Sequence, residues 1–275
     1  MTGELVSEMP EAEYHALPGL SSTGAKTLLD SPAKFRAGVR RESRAFDLGT
    51  VVHGMVLGTG WPVAVIPDDL LSASGAVSTR AAKEWVAAAR ERGETPITSA
   101  DHAQAQAMAD AVLAHPVARM LLTRDGQAEV SALWTDDATG VACRGRFDRM
   151  VQAPSRTILV DLKTTVDAHP SRFGRTAATF GYDLQAAWYL DGLAAATDDT
   201  DAAFVHVLVE KELPFLASVV QLDDDALWTG RQGARLAREV YRDCTESGIW
   251  PGYSTDIVPV SLPTWARDRF TRETA

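Results

Sequence analysis

Residues 144–163, RGRFDRMVQAPSRTILVDLK, decide the reading of this chain. They begin inside GVACRGRFDRMV, which has the content of a strand, and EVSALWTD before it reads as its partner. The intervening Asp136-Asp137-Ala138-Thr139-Gly140 is a turn signal, so the two form a hairpin. Pro154-Ser155 then turns the chain into TILVDLKTT, a β-branched and apolar run suited to a buried strand. Asp148 ends one strand, and Asp161 and Lys163 lie at the end of the next. Residues i and i+2 of a strand share a face. Asp161 and Lys163 therefore point the same way while Leu162 turns into the core. If the two strands are neighbours, Asp148 meets Asp161 across them.

Two carboxylates and a lysine at one point make a hard-oxygen site for Mg²⁺ or Mn²⁺ with a cation alongside. Phosphodiester hydrolysis uses such a set. The metal activates a water and offsets charge on the phosphoryl oxygens, and the lysine orients the water or stabilises the transition state. The same three residues also suit a salt bridge at a strand end, and their spacing alone does not separate the two readings. Gln185 and Tyr189 in DLQAAWYLDGL are four apart and share a helix face. There they bond a phosphate or an attacking water, or else sit at a core edge. His53 in GTVVHG is either a satisfied core histidine or a ligand.

Outward from these strands, residues 1–20 read as an extended lead-in ending at Pro18-Gly19. SSTGAKTLL opens a helix that Ser21 or Ser22 can cap and that Pro32 closes. PAKFRAGVRRESR gathers Lys34, Arg36, Arg40, Arg41 and Arg44 within eleven residues. With Arg144, Arg146, Arg149, Arg172 and Arg175 they are the candidate DNA-contacting cations, the alternative being a solvated face. FDLGTVVHGMVLG, with Gly49, Gly54 and Gly58, suits a helix packed closely on a neighbour. Residues 78–123 are Ala-rich and helical, broken at Gly93, Pro96 and Pro116. Helix returns over 176–195, and AAFVHVLVEK reads as a strand continuing through LASVVQL after Pro214. DDDALWTGRQGARLAREVYRDCTESG is an amphipathic helix with Asp223 to Asp225 at its positive N-terminal end. The order predicts one α/β domain around a mixed sheet. An extended segment spans 1–20 and a single domain 21–275, with a helical part over 21–125, a sheet core over 126–222 and a C-terminal helix and tail over 223–275.

Composition bounds the function. With 275 residues, 45% of them hydrophobic, the chain has ample material for a core. A net charge of −10 argues against general nucleic-acid affinity but leaves room for a local basic groove. Cys143 and Cys244 are too few for a disulfide framework, a Cys-only zinc site or a four-Cys iron–sulfur cluster, and a reducing cytoplasm is expected. No stretch approaches the ~18 consecutive apolar residues of a membrane span, and the N-terminus lacks the apolar core of a signal peptide. A soluble protein with no membrane partner is expected.

The motifs also occur in a telling order: LSSTGAKTLLDSPAKF, FDLGTVVHG with His53, Glu129 in AEVSALW, and Asp148 in GRFDRMV. ILVDLKTT with Asp161 and Lys163, QAAWY with Gln185 and Tyr189, and WPGYS…LPTWA follow. This set resembles the PD-(D/E)XK nuclease superfamily, more closely the phage and prophage RecE-type (exonuclease VIII-like) domain and more distantly the RecB nuclease domain. The likeness covers about residues 14–267.

The resemblance implies a restriction-endonuclease-like core, a central mixed β-sheet flanked by helices, with an N-terminal helical region. It implies that Asp148, Asp161 and the backbone carbonyl of Leu162 ligate the metal, with His53 a ligand or near neighbour. Lys163 would serve the water and the scissile phosphate, and Glu129 would be a supporting acid. Gln185 and Tyr189 would form the accessory motif of the RecB-like branch. The acid before Lys163 is Asp rather than the commoner Glu, and the iron–sulfur cysteines of some relatives are missing. The implied cofactor is therefore Mg²⁺, with Mn²⁺ able to substitute, and no iron–sulfur cluster. The implied activity is digestion of linear double-stranded DNA from its 5′ ends by a ring-shaped homo-oligomer, leaving 3′ single strands for recombination by a strand-annealing partner. A nuclease acting on single strands or flaps, and a noncatalytic DNA-binding or assembly module, are the competing readings.

Overall fold

A computed structural model describes residues 2–38, 44–60, 62–263 and 266. Of the cations singled out above, Arg40 and Arg41 lie outside the described residues, as do the side chain of Arg44 and Thr264-Trp265 of the closing motif. The N-terminal stretch is more than a lead-in. It supplies β1 (Thr2–Val6), α1 (Glu11–Ala16) and β2 (Leu20–Ser21), and both strands join the main sheet. Then come α2 (Ser22–Asp30), α3 (Pro32–Ala37) and α4 (Arg44–Leu57). Ser21 caps α2 by accepting from Gly24 N at 3.1 Å, and Ser31 ends that helix while capping α3, which Pro32 opens.

The Ala-rich region holds β3 (Val63–Val65), α5 (Arg80–Glu91), β4 (Thr95–Ile97), α6 (Ser99–Ala114) and α7 (Pro116–Thr123). Here β3 and β4 pair in parallel as a small sheet that helical periodicity does not reveal. The expected hairpin is β5 (Gly126–Thr135) and β6 (Ala142–Gln152), and the expected buried strand is β7 (Thr157–Thr165). The chain closes with α8 (Pro170–Phe180), α9 (Tyr182–Thr197), β8 (Ala203–Glu210), β9 (Ala217–Val220) and α10 (Asp224–Ser247). Two readings need correction. Gly181, at a left-handed φ of +63°, ends α8 and caps α9, so 176–195 is not one helix. Nor does β9 continue β8; it folds back and pairs antiparallel with it, because Pro214 cannot carry a ladder hydrogen bond.

The main sheet runs β1-β5-β6-β7-β8-β9, mixed in direction, with β2 also beside β6. An apolar core lies on each face. One contains Trp134, Phe147, Leu159, Trp188, Phe204 and Leu208 under α2, α9 and α10. The other contains Val52, Met108, Leu121, Val160, Leu162 and Val207 under α4, α6 and α7. Among the described residues, no helix is long and apolar enough to cross a membrane.

The sheet forks where the site forms. β6 and β7 pair from Gln152↔Thr157 to Arg149↔Val160, and there the ladder stops. Toward its start the same edge of β6 is taken by β2, through Leu20↔Cys143 and Ser21↔Arg144. Between the two, Asp148 stands where continued register would set it opposite Asp161. The hairpin kinks at the same level, for Glu129, opposite Asp148 in β5, has a φ of 53° and makes no ladder pair. Side-chain alternation slips there: Val130 and Phe147 face one core, whereas Ala128 and Val151 face the other.

Candidate active site

Strand alternation settles the first part of the geometry. Leu162 is fully buried in the core beneath α4, and Asp161 and Lys163 both face α9. The Lys163 ammonium donates to Asp161 Oδ1 at 2.9 Å and lies 2.7 Å from Oδ2. Gln185, projecting from α9, donates its Nε2 to the same Oδ1 at 2.9 Å. Asp161 is only 1% exposed, so its charge survives on these contacts. Burial works most strongly of all to raise its carboxyl, but the Lys163 ammonium and the neighbouring imidazoles of His206 and His53 together outweigh it, and the net direction is down. Burial likewise works to lower Lys163, and Asp161 and Asp148 hold it above its ordinary value.

Asp148 enters from β6, across the fork. Its Oδ2 accepts from Leu162 N at 2.8 Å, taking the ladder partner that strand pairing no longer supplies. His53 comes from α4, with Nε2 donating to Leu162 O at 2.6 Å and Nδ1 3.6 Å from Asp148 Oδ2. The peptide units around Leu162 are thus held on both sides. Burial pushes the Asp148 carboxyl up to about 6, with the Asp161 charge adding to it and His53 and Lys163 opposing.

The α8–α9 corner closes the site from the other side. Gly181 starts α9 so that Tyr182 lies in its first turn, and the Lys163 ammonium stands 5.3 Å from the Tyr182 ring centroid. Reading 176–195 as a single helix hides this corner, although the glycine was its signal. His206, the β8 register partner of Asp161, is fully buried among Phe173, Tyr182 and Phe204. Burial drops it to about 4, so it stands neutral beside Asp161. No motif marks His206; only the register of β7 and β8 brings it here. Tyr189, a turn after Gln185, packs against Gly145 with the Phe147 and Phe204 rings beside it. Gln185 thus reaches Asp161 directly, whereas Tyr189 packs on β6 between the stretches paired with β2 and with β7.

The remaining expected residues divide. Glu129 faces the fork, but its carboxylate pairs with Arg146 Nε at 2.7 Å. Arg146 also donates to Met9 O, and Arg144 donates to Tyr14 O and Leu17 O. These two arginines therefore tie down the N-terminal segment, and their donors to Met9, Tyr14 and Leu17 are engaged within the chain. Arg149 donates to Arg124 O at 2.5 Å, and Arg172 pairs with Asp167. Lys34 pairs with Asp30 at 2.6 Å, Arg36 lies 5.6 Å from the Trp250 ring, and Arg175 is exposed on α8.

Among the described residues, no three His, Cys, Asp or Glu side chains stand as a ready cage for a metal. The fork offers instead two carboxylates, a strand carbonyl and an imidazole, currently bonded to one another and to Lys163. That donor set suits a hard divalent cation. Asp148 is half-buried and its ionisation is held back by desolvation, a cost that such a cation would relieve.

Residues 21–259 match a family described as a PDDEXK-like domain of unknown function (DUF3799). No curated protein matches the chain. Among solved structures, a candidate exonuclease from Eubacterium rectale aligns with a TM-score of 0.62 at 14% identity, covering 94% of this chain and 97% of that one. The likeness at this identity is one of fold, a mixed sheet flanked by helices. A phage-related exonuclease from Haemophilus somnus 129PT aligns over 84% of this chain and 97% of its own, at 14% identity and a TM-score of 0.33.

Proposed function

The chain belongs to this PDDEXK-like family, and from that premise we propose that it is a Mg²⁺-dependent DNA exonuclease. The observation that carries the reading is the meeting of Asp148, Asp161 and Lys163 at the sheet fork, with Asp148 half-buried and its carboxyl raised by desolvation. Asp148, Asp161 and the Leu162 carbonyl would hold the cation, with His53 beside them. When bound, it supplies Lewis acidity at the phosphate and a nucleophilic water. The protein's own part is positioning. Gln185 fixes the Asp161 carboxylate, and Asp148 and His53 fix the backbone of Leu162 from both sides. The Lys163 ammonium, held by Asp161 at the site's edge and 20% exposed, faces the scissile phosphate and orients the water.

The finer reading is digestion of linear duplex DNA from its 5′ ends, leaving 3′ tails for a strand-annealing partner in recombination, by a homo-oligomer in the cytoplasm. Its support is the ordered likeness to RecE-type domains and, for the compartment, two buried unpaired cysteines. The test is purified protein with end-labelled linear duplex and a closed circle, with and without Mg²⁺. Early loss of the 5′ label from the linear DNA alone, only with Mg²⁺, is expected. Cleavage of the circle would make it an endonuclease, and early loss of the 3′ label would reverse the polarity. No metal-dependent cleavage of any DNA would overturn the nuclease reading.

A further inference from the structure

A second lysine shares the Tyr182 ring. Lys26, on α2, has its ammonium 5.8 Å from the ring centroid that Lys163 approaches to 5.3 Å. Its stem is clamped at the α8–α9 corner: a Cβ on Gly181 would come within 2.7 Å of Lys26 Cδ. The lysine is partly buried, yet among the described residues its ammonium makes no hydrogen bond or ion pair. Burial and the neighbouring Lys163 charge together drop it to about 8, with Asp161 and Asp183 opposing. A half-desolvated cation held beside another cation, with no described carboxylate in hydrogen-bond contact, is costly in the free protein. A ligand carrying negative charge would remove that cost. The site next to it is the one proposed to receive a DNA strand, which brings a phosphate on each side of the bond cut.

Building on the nuclease reading, we propose that Lys26 binds the strand phosphate adjacent to the scissile one. Both ammonium groups lie against the Tyr182 ring, so that Lys163 serves the bond broken and Lys26 sets the register of the strand. The Gly181 corner positions Lys26 for this by packing on its stem.

The test uses linear duplexes in which single phosphodiesters near the cleaved end are replaced, one at a time, by neutral methylphosphonates. Binding in Ca²⁺ and single-turnover cleavage in Mg²⁺ are measured for wild type, Lys26→Gln and Lys26→Arg. In wild type, one position next to the scissile bond should cost about tenfold in affinity, the range of one hydrogen bond to a charged group. Lys26→Gln should lose about as much on unmodified DNA and suffer no further loss at that position. Lys26→Arg should recover most of it. The salt slope of binding should fall by roughly 0.9 in Lys26→Gln. An unchanged affinity in Lys26→Gln, or the same methylphosphonate penalty in both proteins, would overturn the assignment. Absence of cleavage by wild type would instead refute the nuclease reading, and the Ca²⁺ binding arm would still decide the role of Lys26.

Discussion

Asp148 is ionised at some cost to the folded state, and the sign of that cost can be measured. Its carboxyl is raised from 3.8 to about 6 by burial. A raised acid contributes full stability below its unfolded value and loses it as pH climbs through the folded one. Metal-free protein should therefore lose stability between about pH 4 and pH 6 through this group. Asp148→Asn keeps an acceptor for Leu162 N and removes the charge. With chelator at pH 7.5 it should be more stable than wild type by on the order of 2 kcal/mol, while Mn²⁺ binding fails. Equal melting temperatures of the two proteins across pH 4–8 would sink this account. Asp161 and Lys163 separate differently. Asp161→Asn should lower metal affinity and turnover together. Lys163→Ala should keep metal binding yet slow single-turnover cleavage by at least ~10²-fold, the scale of one preorganised hydrogen bond to the transition state. A Lys163→Ala protein that cleaves like wild type would return the pair to a plain salt bridge.

Among the elements, α9 decides the site because it carries both Gln185 and Tyr182, and its seat on α10 is tight. A Cβ on Gly230 would stand 2.1 Å from Asp183 O, a backbone atom in the first turn of α9. Gly230→Ala should therefore push α9 outward, despite the ~1 kcal/mol that alanine adds to an exposed helix. Overpacking of this kind costs about 1–3 kcal/mol, so a fall of roughly 5 °C in melting temperature is expected, with turnover per folded molecule also reduced. Gly233→Ala is the control. Its Cβ would meet only the Leu184 side chain, at 3.3 Å, and the protein should melt within a degree or two of wild type. Similar melting temperatures for both variants would mean that α9 is not held by this packing.

For the molecule as a whole, the proposed activity asks a net charge of −10 to coexist with a grip on DNA. Arg144 and Arg146 are taken up by the N-terminal segment and Arg172 by Asp167. Of the cations expected at a DNA surface, Arg36, Arg40, Arg41, Arg44 and Arg175 remain candidates beside the site lysines, since Lys34 pairs with Asp30. Arg40→Ala with Arg41→Ala should weaken binding of duplex DNA in Ca²⁺ and lower the salt slope by roughly 0.9 for each phosphate no longer neutralised. Titration from 50 to 200 mM salt would measure it, and an unchanged slope would move the groove elsewhere.

Some of this protein was legible from its residues. The hairpin, the buried strand and the shared face of Asp161 and Lys163 follow from turn chemistry and a period of two, which act over a few residues and need no partner. The capping of α2 and α10 is local for the same reason. What needed the tertiary structure is whatever depends on which strand lies beside which. The fork that sets Asp148 against Leu162 N exists because β2 and β7 share one edge of β6 without meeting. The uptake of Arg144 and Arg146 exists because residues 2–21 fold back onto the sheet. His206 faces Asp161 through parallel pairing across an intervening pair of helices. Lys26 and Lys163 meet over Tyr182 though 137 positions separate them. Local propensity records the conformation of a segment; the neighbour it packs against is chosen by burial of the whole chain.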